Sequence, residues 1–560
     1  MVINTLYDLL QVGLKQYPNN PAYAMFGGEE LTFAEVGERV EAVKASLVAS
    51  GLSAGDRAVI LSNNMPNWCV SYFAVVSSGM VAVPLLPDFS NDELDMLIKH
   101  SEAKALFVSD RLYSRLNKET LASLNVVIRT KNLGVISQSV NTPGELGVPK
   151  PEDLAVIIYT SGTTSSPKGV MLTHHALAKQ VEILCDLYPI TPEDSFLSVL
   201  PLSHTYESSL GMLFPMANGV KTTYLDKPPT ASTLLPALRS VRPTLMLIVP
   251  LIIEKIFRSQ VLAKFTSNAF WRTLHNVGFT RRYLYKIAGK KLHKVFGSRL
   301  RFLGIGGAKL DAQAERFLYE SKFPYAIGYG LTETAPILAG AIPCNVLPGS
   351  TGFAVKDVKL RLDNINPETG YGELVALTPC ALSGYYKNEE ATKATFTEDG
   401  WFRTGDLAEI AADGRISIKG RLKNMILGPS GENIYPEEIE SVLNSHVVIA
   451  DSLVTEQEGR LVALVNFDTA QLEAKFEELR EEFDTQYELF ERKKEELMRE
   501  IREYVNSKVN RFSRLAEVVE EKEEFVKTPT QKIKRFLYSG GNRPSAEERA
   551  KSKESQKSEE

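Results

Sequence analysis

Apolar runs of strand length alternate with helix-like segments through roughly the first four hundred residues. Thr32-Phe33-Ala34-Glu35 has the form of a capping box, in which a Thr hydroxyl and a Glu carboxylate satisfy free N–H groups of a first helical turn. The residues behind it place Val36, Val40, Val43 and Leu47 on one face, and Gly51 supplies a stop. Arg57 to Leu61 then reads as a strand. Further strands are predicted at Ala105 to Val108, Leu154 to Tyr159, Thr244 to Val249 and Arg301 to Ile305. Strands separated by helices pair in parallel, because a parallel partner needs a crossover of helix length. The expectation is an α/β chain of layered, largely parallel sheets and helices. At 560 residues it exceeds what one hydrophobic core serves, so several lobes are expected.

Trp68 to Pro87 (WCVSYFAVVSSGMVAVPLLP) carries no charge over twenty residues, the length of a membrane span. Ser77, Ser78 and Gly79 interrupt it, and Pro84 and Pro87 break it near its end. A buried helix, a Gly stop and a short buried strand fit it better. The opening residues read as an amphipathic helix, without the basic n-region and cleavage site of a signal peptide. A net charge of −5 gives no ground for general nucleic-acid binding. Cys69, Cys185, Cys344 and Cys380 are far apart in sequence, which argues against a disulfide framework or a zinc site. A reducing, cytoplasmic setting fits, with peripheral membrane contact left open. His174 and His175, at a predicted helix start, read as structural.

Between Lys255 and Lys309 stand thirteen Lys or Arg residues and no Asp or Glu. Such a run is a solvated basic face, or a surface for anionic lipid or a nucleotide phosphate. After Gly420 the texture changes. Tyr435-Pro436-Glu437-Glu438-Ile439-Glu440 opens a helix, with Pro in its first turn and acids at its positive end. A long charged helix, exposed or packed on a partner, is expected over about 471–510, and 541–560 is expected to be a disordered tail.

The densest local signal is Tyr159-Thr160-Ser161-Gly162-Thr163-Thr164-Ser165-Ser166-Pro167-Lys168-Gly169, directly after an apolar run. A loop with this many hydroxyls, a Gly turn and one Lys can wrap phosphates with backbone N–H groups, O–H groups and a cation. A Walker A loop ends in Gly-Lys-Ser/Thr, whereas this one ends in Pro-Lys-Gly. Gly328-Tyr329-Gly330-Leu331-Thr332-Glu333-Thr334 sets an aromatic ring, a hydroxyl and a carboxylate together. Trp401-Phe402-Arg403-Thr404-Gly405-Asp406 puts an acid after a tight turn, and Lys419-Gly420-Arg421-Leu422-Lys423 leads into the final region. Each of these alone could be a turn or a strand end.

In this order the segments resemble the adenylate-forming superfamily of acyl-CoA synthetases, firefly-type luciferases and peptide-synthetase adenylation domains, and the likeness runs to about Tyr538. The resemblance implies a large N-terminal domain of layered sheets and helices (1–421). It also implies a small mobile α+β C-terminal domain (422–540) that swings on a hinge at Lys423. Thr160, Ser161, Gly162, Thr163, Thr164 and Lys168 would then hold the β- and γ-phosphates of ATP. Gly306, Gly307 and Ala308 would border the adenine and acyl pockets, and Tyr329 would stack on adenine beside Gly330. Thr332 would contact the α-phosphate or the carboxylate, and Glu333 would hold Mg2+. Asp406 would accept the ribose hydroxyls, with Arg421 beside it. Lys532 matches the C-terminal catalytic lysine. His204, in Leu200-Pro-Leu-Ser-His204-Thr-Tyr-Glu207, falls in the segment that lines the acyl site. The loop 428–432, with Gly428 and Gly431, would line a tunnel for the thiol after the domain has rotated.

The implied reaction activates a carboxylic acid with ATP as the acyl-adenylate, releases pyrophosphate and passes the acyl group to coenzyme A. The Ser-His-Thr-Tyr-Glu segment, Gln531 where the family often has Gly, and the long charged helix look like a long-chain fatty-acid:CoA ligase. Ser165 stands where the phosphate loop usually has Gly, a change costing about 1 kcal/mol if that position needs a positive φ. Two other readings stay open. One delivers the acyl group to the phosphopantetheine of a separate acyl carrier protein. The other is a non-catalytic nucleotide-binding or scaffold member, supported only by Ser165 and Gln531. A luciferase-like oxidation stands behind both.

Overall fold

The computed structural model describes residues 3–140, 142–160, 167–225, 227, 229–266, 269–428, 433–446, 448–469, 472, 488–528 and 532–545. Among these, two large sheets dominate. One has nine strands, in spatial order Phe353–Ala354, Ile337–Ala341, Tyr325–Gly330, Phe302–Ile305, Leu245–Ile248, Ser195–Ser198, Lys221–Tyr224, Pro21–Met25 and Glu30–Thr32. The other has eight, in the order Gly384–Tyr385, Lys168–Thr173, Leu154–Thr160, Val81–Pro84, Arg57–Leu61, Ala103–Val108, Val126–Arg129 and Gly134–Gln138. Interior strands pair in parallel and the edges antiparallel, as the strand–helix alternation predicts.

The uncharged stretch resolves into helix Pro66–Val76, a left-handed turn at Gly79 (φ +70°) and strand Val81–Pro84. Every residue of that helix is buried. It touches Pro21–Met25 of one large sheet and both Arg57–Leu61 and Val81–Pro84 of the other, so no face of it meets water. Each large apolar side chain buried this way contributes about 1.5–3 kcal/mol, and a charge among them would have no partner. The predicted capping box closes as expected: Glu35 N donates to Thr32 Oγ1 (3.3 Å) and Thr32 N donates to Glu35 Oε2 (2.7 Å). His174 is buried at the start of helix His174–Leu187, where its Nδ1 accepts from Leu6 N at 3.2 Å. Among the described residues no helix is long and apolar enough to cross a membrane.

A four-stranded antiparallel sheet, ending in Phe402–Ile410 and Ile416–Arg421, leads to a smaller region. There Ile449–Gln457, Arg460–Phe467 and Glu517–Glu520 form a sheet, and helix Pro436–Asn444 begins at its proline as read from the sequence. Among the described residues, its hydrophobic clusters contain none from before Ile426. Of the predicted long helix, Glu488–Asn506 is described, while 473–487 lie outside the described residues. The described part is not simply exposed. Leu497, Ile501 and Val505 are buried in this region's own core. The first residues of the expected disordered tail are ordered. Arg543 pairs with Glu521 at 2.9 Å and Pro544 is buried, so 541–545 are fastened, and 546–560 lie outside the described residues.

Candidate active site

Strand Leu154–Thr160 turns back antiparallel into Lys168–Thr173, with Thr160 opposite Lys168. Thr160 Oγ1 donates to Lys168 O at 3.4 Å. The predicted phosphate loop therefore joins two paired strand ends, while Ser161, Gly162, Thr163, Thr164 and Ser165 themselves lie outside the described residues. The edge strand Gly384–Tyr385 pairs with Lys168–Thr173 and brings the Tyr385 ring to 5.1 Å from Lys168 Nζ. Tyr385 Oη in turn donates to Glu333 Oε1 at 2.9 Å. Sequence reasoning missed Tyr385. It stands outside the motifs, and only strand pairing brings it here.

Thr332 and Glu333 lie on a short 3-10 turn after strand Tyr325–Gly330. Leu331 N and Thr334 Oγ1 both donate to Pro336 O (3.1 and 2.7 Å), and Ser209 Oγ donates to Ala335 O (3.0 Å). The fold-back is so tight that a Cβ on Gly330 would stand 1.7 Å from Pro336 O. Only glycine fits there. Leu382 N donates to Glu333 O at 2.8 Å and fixes the turn from the other side.

Asp406 lies opposite Arg421 on paired strands and is 3% exposed. Arg421 Nε meets its Oδ1 at 2.7 Å, and Tyr329 Oη donates to its Oδ2 at 2.7 Å. Burial pushes the Asp406 carboxyl above its ordinary range, while Arg421 and the Tyr329 hydroxyl pull it back. Lys423 and Lys532 enter the same cleft. Burial first, then the nearby Arg421 cation, holds each ammonium below the ordinary lysine value. Both side chains are nevertheless exposed to water, although protein atoms stand close around them.

Four cations, Lys168, Arg421, Lys423 and Lys532, thus face two carboxylates, Glu333 and Asp406. Like charges crowded in a partly dry cleft repel one another, and a bound polyanion relieves that repulsion. His204 caps the short helix Thr205–Glu207. Its Nδ1 accepts from Tyr206 N at 3.2 Å, which leaves the ring proton on Nε2. Burial, and then Lys532, brings its pKa down to about 4, so it is neutral near pH 7.

Strand Phe302–Ile305 ends at Gly306, which is buried, followed by Gly307 (φ +85°) and Ala308, which are exposed. A Cβ on Gly306 would stand 3.2 Å from Tyr206 Cζ. Beside this corner lies a narrow apolar slot, with an open volume of about 40 Å3 between its walls. The sheet contributes Gly304, Gly328 and Gly340 to it, with Gly328 and Gly340 directly paired across strands. Helix His174–Leu187 and the segment after His204 contribute Leu187, Tyr206 and Phe214. These walls were not legible beforehand, because they come from segments far apart in sequence. Gly428 is buried after strand Ile426–Leu427 in the C-terminal region, and Gly431 lies outside the described residues.

The family profile described as "AMP-binding enzyme" matches residues 10–386. Similar curated proteins include long chain acyl-CoA synthetase 1 of Arabidopsis thaliana, 29% identical over 515 residues that cover 80% of this chain and 76% of the relative. Another is the long-chain-fatty-acid–CoA ligase FadD15 of Mycobacterium tuberculosis, 28% identical over 475 residues, covering 78% and 77%. Among solved structures, the fold is shared with o-succinylbenzoate coenzyme A synthetase from Bacillus subtilis in complex with ATP and magnesium ion. That match has a TM-score of 0.73 at 21% identity and covers 94% of this chain and 98% of the other. ATP-bound MatB from Rhodopseudomonas palustris gives a TM-score of 0.74 at 22% identity, covering 95% and 98%.

Proposed function

Since this chain belongs to the AMP-binding enzyme family, we propose that it activates a fatty acid with ATP as the acyl-adenylate, releases pyrophosphate, and transfers the acyl group to coenzyme A. The observation that carries this reading is the juxtaposition of a cation-rich cleft with an uncharged slot. The charge of the first suits a nucleotide triphosphate, and the apolar lining of the second suits a hydrocarbon tail. The names of the relatives, long-chain acyl-CoA synthetases and ligases, support both the fatty acid and coenzyme A.

In the first half-reaction the acid's carboxylate must approach the α-phosphate, one anion meeting another. Lys532 offsets the charge that builds there, and Thr332 donates its hydroxyl to the reacting groups. Thr160 and Lys168 take the terminal phosphates. Asp406 accepts the ribose hydroxyls, held in place by Arg421 and by Tyr329, whose ring borders the base. Glu333 fits a magnesium ion that arrives with the nucleotide. Tyr385 holds its Oε1, its Oε2 has no hydrogen bond among the described residues, and Mg2+ takes one or two carboxylates with phosphate oxygens completing its shell. When bound, the ion neutralises charge on the leaving pyrophosphate.

In the second half-reaction residues 422–540 act as a mobile domain turning about Lys423. Lys532 withdraws, and the loop 428–432 lines the approach of the thiol. The separate hydrophobic core of that region supports such a movement. The test is ATP–pyrophosphate exchange with purified protein and a panel of acids from acetate to oleate. Exchange driven by none of them would remove the enzyme reading. Exchange without thioester formation on free coenzyme A would transfer the reading to a separate acyl carrier protein.

A further inference from the structure

Helix Gly278–Val295 lies within the thirteen-cation stretch and is two-faced. One side is fixed. Tyr285 and Leu292 are buried, and a Cβ on Gly289 would stand 2.5 Å from Ser321 Cβ, so this helix presses closely on Ala312–Ser321. The opposite side is unusual for a surface that meets only water. Phe279, Tyr283 and Ile287 recur every fourth residue and are 85%, 64% and 40% exposed. Arg282, Lys286 and Lys290 recur at the same spacing and are all exposed. Residues four apart stack on one helix face, so an apolar row and a cationic row run side by side. Phe270, on the preceding helix Ala269–Asn276, is 67% exposed.

We propose that this face docks on an anionic lipid surface, with Phe279, Tyr283 and Ile287 entering the headgroup boundary while Arg282, Lys286 and Lys290 meet acidic headgroups. Charge complementarity selects the partner. Residues 255–309 contain no carboxylate. On the helix packed behind, Glu320 is taken up by Arg281 at 2.9 and 3.0 Å and does not offset the row. A solvated basic face needs no row of exposed aromatic and aliphatic side chains. An acidic protein partner would account for the cations but not for that row. A helix lying in a membrane interface requires both. The same helix leads into strand Phe302–Ile305, whose Phe302 and Gly304 line the apolar slot. A docked bilayer would therefore bear on the crossover that delivers the slot wall.

The test is sedimentation of the full chain with sucrose-loaded vesicles of phosphatidylcholine, alone or with phosphatidylserine, at low and high salt. We expect the protein to pellet only with the phosphatidylserine vesicles and to be released at high salt, where screening shortens the reach of each charge. Lys286→Gln with Lys290→Gln should lower partitioning about 25-fold, roughly fivefold per cation. Phe279→Ser with Ile287→Ser should lower it at unchanged charge. Both pairs lie on the exposed face, and an unchanged thermal midpoint shows that each variant is folded. Wild-type protein that stays in the supernatant with phosphatidylserine vesicles would overturn the proposal. So would a folded variant of either pair that pellets like wild type.

Discussion

Replacing Glu207 by Gln removes a carboxyl that the folded protein holds without compensation. Glu207 is fully buried, and a Cβ added at Gly211 would stand 2.5 Å from its Oε1. Neither carboxylate oxygen has a hydrogen-bond partner among the described residues. Ser198 is near enough to ease a charge there, but its own Oγ falls outside hydrogen-bond geometry. Burial raises the Glu207 pKa from 4.5 to about 8. Below the unfolded value both states carry the proton and the group is neutral to stability. Between the two values only the unfolded chain ionises, so stability falls as pH rises, by about 1.4 kcal/mol per unit. The accumulated loss is about 4–5 kcal/mol and is complete above the folded value. Gln keeps the volume and cannot ionise, so Glu207→Gln should gain on the wild type steadily from about pH 5 to about pH 8. Urea unfolding followed by tryptophan fluorescence, to which the buried Trp68 contributes, measures the difference at each pH. A gap between the two proteins that stays constant with pH would refute the reasoning.

Lys532→Ala should lower adenylation by about 10²–10³-fold, as loss of one group stabilising transition-state charge does, while sparing thioester formation from supplied acyl-adenylate. Equal loss in both half-reactions would contradict the two-position scheme. Lys423→Pro should do the reverse, keeping pyrophosphate exchange and losing thioester formation, and normal overall turnover would remove the hinge. Asp406→Asn takes the charged partner from Arg421 and Tyr329 and should weaken ATP use by about 10–100-fold in kcat/KM, as expected for a hydrogen bond to a charged group. A side chain on Gly340 would meet Leu187, 3.3 Å from its Cβ, and narrow the slot. Gly340→Val should therefore reduce kcat/KM for long acids more than for short ones in the same exchange assay.

The strand–helix alternation and the motif segments were legible because each is local. Thr32 and Glu35 close their capping box within one turn, and Thr160 and Lys168 bracket one hairpin. The uncharged run from Trp68 could be read correctly because Gly79 and Pro84 break it within itself. What sequence reading missed depends on pairing at a distance. Tyr385 meets Glu333 only through an edge strand, and the slot walls combine Leu187, Phe214 and Gly340. Lys423 was read as a backbone pivot, yet its ammonium also adds to the charge in the cleft. Glu207 sits inside a recognised segment, but only the packed core reveals its lack of a partner.

Arg258 donates to Ile449 O at 2.9 Å and to Asn444 O, and Gln313 Nε2 donates to Ser445 O at 3.2 Å. On the C-terminal side every acceptor is a main-chain carbonyl, which all twenty amino acids carry alike. Substitution at 444, 445 or 449 leaves these acceptors in place, whereas loss of Arg258 or Gln313 removes them from use. These bonds are inscribed on one side only. Positions 444, 445 and 449 are free to drift in sequence and would still be received in the same place, whereas Lys532, Glu437 and Glu438 face the charges of the N-terminal side with their own side chains.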